Sequence, residues 1–120
     1  MAKRILCIED SKAYQKYVVY ALENKDYTVD FADDGLEGLK KLTTTKFDLV
    51  LLDLWMPNLN GFDILNEMKA FPENDNIPVI VLTADAQEGT RQKSFKMGAS
   101  TFLPKPFRTQ DLLDSFACTI

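Results

Sequence analysis

The amino-acid sequence predicts an α/β fold, a doubly wound sheet of five parallel strands with helices on both faces. Short apolar runs recur along the chain, each stopping at polar residues. They are too short for helices and too continuous for half-exposed strands, so they read as buried parallel strands. Stretches with helical apolar spacing separate them. Strand and helix thus alternate five times, an order that implies a parallel sheet covered on both sides. Size is the third observation. The 120 residues carry no linker, internal repeat or low-complexity tract, and one domain spanning 1–120 is expected. Surface scaling gives about 6,600 Å² exposed when folded against about 20,000 Å² unfolded, enough burial for a core without covalent staples.

The elements follow in order. Arg4 to Ile8 is an apolar run that stops at Glu9-Asp10. Ala13, Tyr14, Tyr17, Val18, Ala21 and Leu22 then share one helix face, with Lys12, Gln15, Lys16 and Glu23 mostly opposite and Ser11 or Asp10 as cap. Tyr27, Val29 and Phe31 alternate with polar residues, as a strand nearer the sheet edge does. Leu36, Leu39 and Leu42 mark a second helix. Phe47 to Leu52 is the third strand and stops at Asp53. Gly61 opens a third helix, marked by Phe62, Leu65 and Met68 and ending before Pro72. Pro78 to Leu82 stops at Thr83-Ala84-Asp85. Residues 87–97 are polar and weakly patterned and end at Gly98, which predicts a poorly anchored fourth helix. Thr101 to Leu103 gives a short fifth strand, and Leu112, Leu113 and Phe116 a fifth helix.

Composition removes several classes of function. Fourteen basic against eighteen acidic residues leave a net charge of −4 and a pI of about 4.8. Such a chain has no general attraction for nucleic acid or anionic lipid, and neither is expected as a partner. No apolar run approaches the roughly 18 residues of a membrane span. The apolar stretch behind Met1-Ala2-Lys3-Arg4 breaks at Glu9-Asp10, unlike a secretory leader. Cys7 and Cys118 fit neither a metal-site spacing nor a disulfide framework, which suits a reducing cytoplasm. Histidine is absent. Ser-His and Cys-His nucleophiles, histidine metal sites and phosphohistidine carriage are thereby excluded, leaving carboxylates, hydroxyls and lysine.

In open α/β sheets the ligand site lies beyond the carboxyl ends of the strands. Those ends carry Glu9-Asp10, Asp53, Thr83 and Lys105. Two carboxylates about 4 Å apart repel by roughly 4 kcal/mol at an effective dielectric of about 20. Such a cluster must hold a proton, a basic partner or a hard cation. Carboxylates with a backbone carbonyl and waters suit Mg²⁺. A cation facing a lone carboxylate, with a lysine and a hydroxyl nearby, is equipment for phosphoryl transfer to that carboxylate. Asp53 closes the middle strand and is the candidate nucleophile; Glu9 and Asp10 are better placed to hold metal. Singly, each residue has a plainer role: Asp10 or Ser11 a helix cap, Asp53 a turn residue, Thr83 a cap hydroxyl, Lys105 a surface charge. Four strand ends with complementary chemistry at one edge weigh against those roles together.

With these motifs in register the chain resembles the receiver domain of two-component response regulators, of the single-domain chemotaxis type. The likeness spans the whole chain: Glu9-Asp10, Asp53-Leu54-Trp55-Met56-Pro57, Gly61, Thr83-Ala84, and the run from Gly98 through Lys105-Pro106-Phe107. It implies a flavodoxin-like (βα)5 fold with strand order 2-1-3-4-5. It implies a phosphoryl group accepted on Asp53 from a histidine kinase or histidine phosphotransfer protein. Asp10, Asp53 and the carbonyl of Trp55 would bind Mg²⁺ (or Mn²⁺) directly, with Glu9 acting through water; no organic cofactor is implied. Lys105 and Thr83 would contact the phosphoryl oxygens. Phe102 would turn inward behind Thr83 and change the face formed by the fourth helix (α4), fifth strand (β5) and fifth helix (α5). The Lys105–Pro106 bond should be cis.

Departures from the family pattern carry their own expectations. Glu9 is one methylene longer than the commoner aspartate. Trp55 is large enough to cover the phosphoryl site and slow attack by water. Phe102 switches by packing alone, without a tyrosine hydroxyl. The stretch Arg108 to Asp114 lacks an arginine-rich ending, so a monomer or weak dimer is expected. The 120 residues hold no DNA-binding or catalytic unit beyond this domain, so the phosphorylated form is expected to act by binding a protein target, whether Ile120 is a natural end or the edge of a larger protein. The chain would be a signalling switch, not an enzyme with a separate substrate. Three other readings compete with this one. A haloacid-dehalogenase-type phosphatase needs a second aspartate where Trp55 stands. A flavodoxin-like carrier needs a phosphate cradle where Glu9-Asp10 stands. A pseudo-receiver would keep these residues as a vestigial site.

Overall fold

A computed structural model describes residues 2–56 and 59–119; Pro57 of the Asp53–Pro57 motif lies outside the described residues. Strands β1 (Lys3–Ile8), β2 (Tyr27–Ala32), β3 (Leu49–Asp53), β4 (Val79–Thr83) and β5 (Thr101–Pro104) form one sheet in the order β2-β1-β3-β4-β5. Every pairing is parallel. Helices α1 (Lys12–Leu22), α2 (Gly35–Thr44), α3 (Gly61–Ala70), α4 (Glu88–Lys96) and α5 (Thr109–Thr119) connect or follow the strands, and a single helical turn (Pro72–Asp75) precedes β4. This is the doubly wound sheet the apolar runs predict. None of the described helices is long and apolar enough to cross a membrane.

Two apolar clusters sandwich the sheet. On one face Ile5, Cys7, Leu49, Leu51, Ile80 and Leu82 pack on Val18, Ala21 and Leu22 of α1 and Leu112 and Phe116 of α5. On the other, Leu6, Ile8, Val50, Leu52 and Val81 meet Leu42 of α2 and Phe62, Ile64, Leu65 and Met68 of α3. Both β3 and β4 are wholly buried, which is why their sequences are continuous apolar runs rather than alternating ones. The third strand starts at Leu49, two residues after the run begins, and continues through Asp53, which pairs with Leu82. The helices carry starting signals: Ser11, Asp34 and Asn60 each accept a backbone N–H of the first turn.

Two helix faces differ from the predicted ones. In α1 it is Gln15 that is buried beside Val18, while Ala13 is exposed. In α2 the inner face is Gly35, Gly38 and Leu42, and Leu36 points outward with 56% of its surface exposed. The reason is close approach: a Cβ on Gly38 would stand 2.5 Å from Ile8 Cδ1 and 2.8 Å from its Cγ1. At Gly38 the helix lies so near Ile8 that a side chain has no room, while Leu42, one turn further on, still packs inward. The weak patterning of 87–97 becomes a helix with one buried residue, Ser94, ended by Gly98 at φ +108.

Gly61 positions the end of β3. Its N–H donates to the carbonyl of Leu54 at 2.7 Å, and a Cβ there would lie 2.8 Å from both the Asp53 carbonyl oxygen and Leu54 Cα. Both obstacles are backbone and cannot swing away. Gly61→Ala should therefore destabilise the fold by about 2 kcal/mol, as overpacking does, despite alanine's better helix propensity. A urea unfolding curve checks this: the midpoint should fall.

Candidate functional site

The carboxyl edge of the sheet brings together most of the predicted site residues. Glu9 follows β1, Asp53 ends β3, Thr83 ends β4, and Lys105 follows β5. The edge is kept in register by backbone bonds: Glu9 N–H donates to the Ala32 carbonyl at 3.0 Å, and Lys105 N–H to the Thr83 carbonyl at 2.7 Å. Glu9 and Thr83 are fully buried and Asp53 is 5% exposed. Asp10, one residue further, is exposed. The Lys105–Pro106 peptide is cis.

Lys105 lies between the carboxylates. Its Nζ is 2.5 Å from Glu9 Oε1 and 3.7 Å from Asp53 Oδ2, and its side chain is 9% exposed. Burial comes from Tyr14, whose ring centroid lies 4.2 Å below the ammonium and which stacks on Phe107. Tyr17 braces this group by donating its hydroxyl to the Phe107 carbonyl at 2.7 Å. Glu9 is engaged at both oxygens, since its Oε2 accepts the Ser11 N–H at 3.1 Å. Among the described residues, Asp53 accepts a single long contact from the Trp55 N–H, 3.4 Å. The carboxyl of Asp53 is pushed up to about 7, first by burial and then by the charge of Glu9, with Lys105 opposing.

Glu9, Asp10 and Asp53 present carboxylate oxygens that all lie within 4.8 Å of one another. That is an all-oxygen donor set with more negative charge than one lysine balances, so the residues fit a hard divalent cation. Thr83 Oγ1 accepts the Asp85 N–H at 3.0 Å, and its own proton remains free to donate. Ala84 beside it is exposed and small. The Trp55 ring, 50% exposed, meets the Phe62 ring edge-on at 5.8 Å. Asp85 is held below the usual carboxylate range by the Gln87 N–H and the Thr90 hydroxyl, with a smaller contribution from the Trp55 side chain. Phe102 is half-buried on β5, against the cluster beneath α4.

A family model for the response regulator receiver domain matches residues 5–117. The chain belongs to this family. Receivers are signalling switches of two-component systems, not enzymes acting on a separate metabolite. The response regulator ArlR of Staphylococcus saprophyticus is 34% identical over 110 residues, which cover 92% of this chain and 49% of ArlR. The transcriptional regulatory protein CusR of Escherichia coli is 34% identical over 110 residues, 92% of this chain and 48% of CusR. The receiver thus spans about half the length of these curated relatives. Among solved structures, the chemotaxis response regulator CheY4 of Vibrio cholerae superposes with a TM-score of 0.94 at 27% identity, covering 100% of both chains. The receiver domain of the sensor histidine kinase PA1611 of Pseudomonas aeruginosa, with a magnesium ion coordinated in its active-site cleft, has a TM-score of 0.90 at 27% identity and covers 99% of this chain and 98% of its own.

Residues outside the sequence-derived set also shape the site: Gln15, which donates to the Glu9 carbonyl at 2.6 Å, Tyr14 beneath Lys105, and Asp85 beside Thr83. For Gln15 a signal was present, since 15, 18 and 22 share one helical stripe with two buried apolar residues. The raised value of Asp53 makes a stability prediction. Because the folded value lies above the ordinary 3.8, Asp53 is harmless at low pH, and its cost to stability grows from about pH 4 to about pH 7 and levels off above that. Without metal, Asp53→Asn should be more stable than the parent by on the order of 1–2 kcal/mol near pH 8, and the gap should close toward pH 4. Urea midpoints of the two proteins across that range measure it.

Proposed function

We propose that this receiver accepts a phosphoryl group on Asp53 from the phosphohistidine of a kinase or phosphotransfer protein, in a reaction that requires Mg²⁺. The observation that carries the reading is the buried trio of Glu9, Asp53 and Lys105 beside Asp10. In it, Asp53 is the carboxylate that Lys105 compensates less, at 3.7 Å against 2.5 Å for Glu9. Asp10, Asp53 and the Trp55 carbonyl would hold the metal directly. Glu9 acts through water, a role supported by its prior engagement with Lys105 and Ser11. When bound, Mg²⁺ supplies positive charge that offsets both the carboxylates and the incoming phosphoryl oxygens.

The chain's own residues do the rest. An Asp53 carboxylate oxygen attacks phosphorus in line. The new O–P bond forms as the donor's P–N bond breaks, and the electron pair returns to the imidazole nitrogen, which is then protonated. Lys105 swings its ammonium from Glu9 toward a phosphoryl oxygen, and the Thr83 hydroxyl donates to another. That hydrogen bond draws Thr83 inward, Phe102 follows into the space behind it, and the α4-β5-α5 face changes. The thin anchoring of α4, with Ser94 its one buried side chain and Phe95 38% exposed, supports that segment as the one that moves. The altered face binds a protein target. The 120-residue unit acts in the cytoplasm as a monomer or weak dimer and contacts neither nucleic acid nor membrane itself.

Intact mass after incubation with Mg²⁺ and acetyl phosphate tests this reading. The parent should gain one phosphoryl group, Asp53→Asn none, and prior chelation should abolish the gain. No gain in a folded, Mg²⁺-binding parent would leave a vestigial module. In the same assay Trp55→Ala should lose the phosphoryl group at least about threefold faster, since an exposed indole beside Asp53 impedes water; an unchanged lifetime would remove that role.

A further inference from the structure

Both polar backbone groups of a residue in a parallel strand point toward the same neighbouring strand. The N–H of Glu9 bonds the last residue of β2, Ala32, so the carbonyl of Glu9 is directed past the end of that strand. There the ladder partner would be the N–H of Asp34, but β2 has ended at Ala32, and among the described residues no backbone N–H meets the Glu9 carbonyl. A buried carbonyl cannot be left unmet without cost. The side-chain amide of Gln15 meets it: Nε2 donates to the Glu9 carbonyl at 2.6 Å and to Asp33 Oδ1 at 2.8 Å. Both amide protons are thereby used, and Gln15 is buried on α1. Asp33 is fixed in turn by Lys12 Nζ at 2.7 Å.

We propose that Gln15, aimed by Asp33, is a positioning residue of the carboxylate site: its amide fixes the Glu9–Asp10 peptide in the orientation that divalent-cation binding requires. The inference rests on the reading of Glu9, Asp10 and Asp53 as the Mg²⁺ site. The Glu9 carbonyl belongs to the peptide that leads into Asp10. Its direction sets where the Asp10 carboxylate hangs relative to Asp53. Asp10 is exposed and none of the hydrogen bonds above is made by its side chain, so the backbone on either side is what aims it. On one side that is the Ser11 N–H held by Glu9 Oε2, and on the other the Gln15 amide. Asp33 keeps that amide from turning. The bond from Lys12, followed by that from Gln15, holds its carboxyl below the ordinary range, so it stays an acceptor at neutral pH.

The test is Mg²⁺ alone, titrated into the full chain by calorimetry. Gln15→Met keeps the volume and removes both donors; it should weaken Mg²⁺ binding about tenfold, the loss typical of supporting partners of metal ligands. Phe116→Leu, a core change on α5 remote from the site, serves as a destabilised control and should bind within about twofold of the parent. Asp33→Ala, at a half-exposed side chain where folding is safe, should lose about threefold. Equal affinity in Gln15→Met and the parent overturns the proposal, as does an equal loss in the Phe116 control. Should Gln15→Met fail to fold, an unchanged affinity in Asp33→Ala overturns it. A parent that binds no Mg²⁺ overturns the Mg²⁺-site reading and this inference with it, whereas a binding parent with indifferent variants overturns this inference alone.

Discussion

Glu9 and Asp53 are both buried at the carboxyl edge of the sheet, and one ammonium, Lys105, lies between them at 2.5 and 3.7 Å. The ion pair with Glu9 is the shorter, and it leaves Asp53 under-compensated in a place where charge is costly. That imbalance gives Asp53 its raised pKa and makes the acidic cluster fit a cation. It also gives Lys105 two destinations. A side chain bound to Glu9 but close to Asp53 can follow added negative charge on Asp53 with a short movement. The apolar sheet behind the trio makes these charges matter, since the same groups in water would interact by a few tenths as much.

The fold supplies that constraint through close contacts more than through specific bonds. Gly61 lets α3 begin directly against the end of β3. Gly38 lets α2 lie directly on Ile8, bringing the β2 end and its Asp33 carboxylate near the Glu9 carbonyl. Tyr14, stacked on Phe107, lies beneath Lys105 on the α1 side. By contrast α4 rests on the sheet through one buried serine, with Phe95 half-covered by the Arg91 guanidinium. Rigid elements thus surround the acidic cluster and a loosely held one adjoins Thr83. The arrangement suits a device that reads charge at one place and reports it at another.

Much of this was legible in the chain itself. Buried parallel strands announce themselves as apolar runs because both faces are covered, and the residues that end them mark one edge of the sheet. Hence Glu9, Asp53, Thr83 and Lys105 could be grouped before any coordinate was known. Periodicity misread the helices where contact was closest or most polar. Leu36 was assigned to the inner face because leucine is apolar, yet glycines take that line when two elements nearly touch. Gln15 was assigned to the outer face because it is polar, yet a strand end that outruns its neighbour leaves a carbonyl needing a donor. Which carboxylate Lys105 chooses depends on side-chain lengths and burial, and no one-dimensional pattern carries that.

The charge balance of the trio can be read directly. Carbon-13 NMR of the side-chain carboxyls in metal-free protein, with Asp53→Asn to assign the resonance, would follow Asp53 through its titration. A midpoint near 7 that drops by several units in saturating Mg²⁺ is the expected result. A midpoint at the ordinary 3.8, indifferent to Mg²⁺, would mean that neither burial nor Glu9 acts on Asp53, and the imbalance from which the site's chemistry follows would not exist.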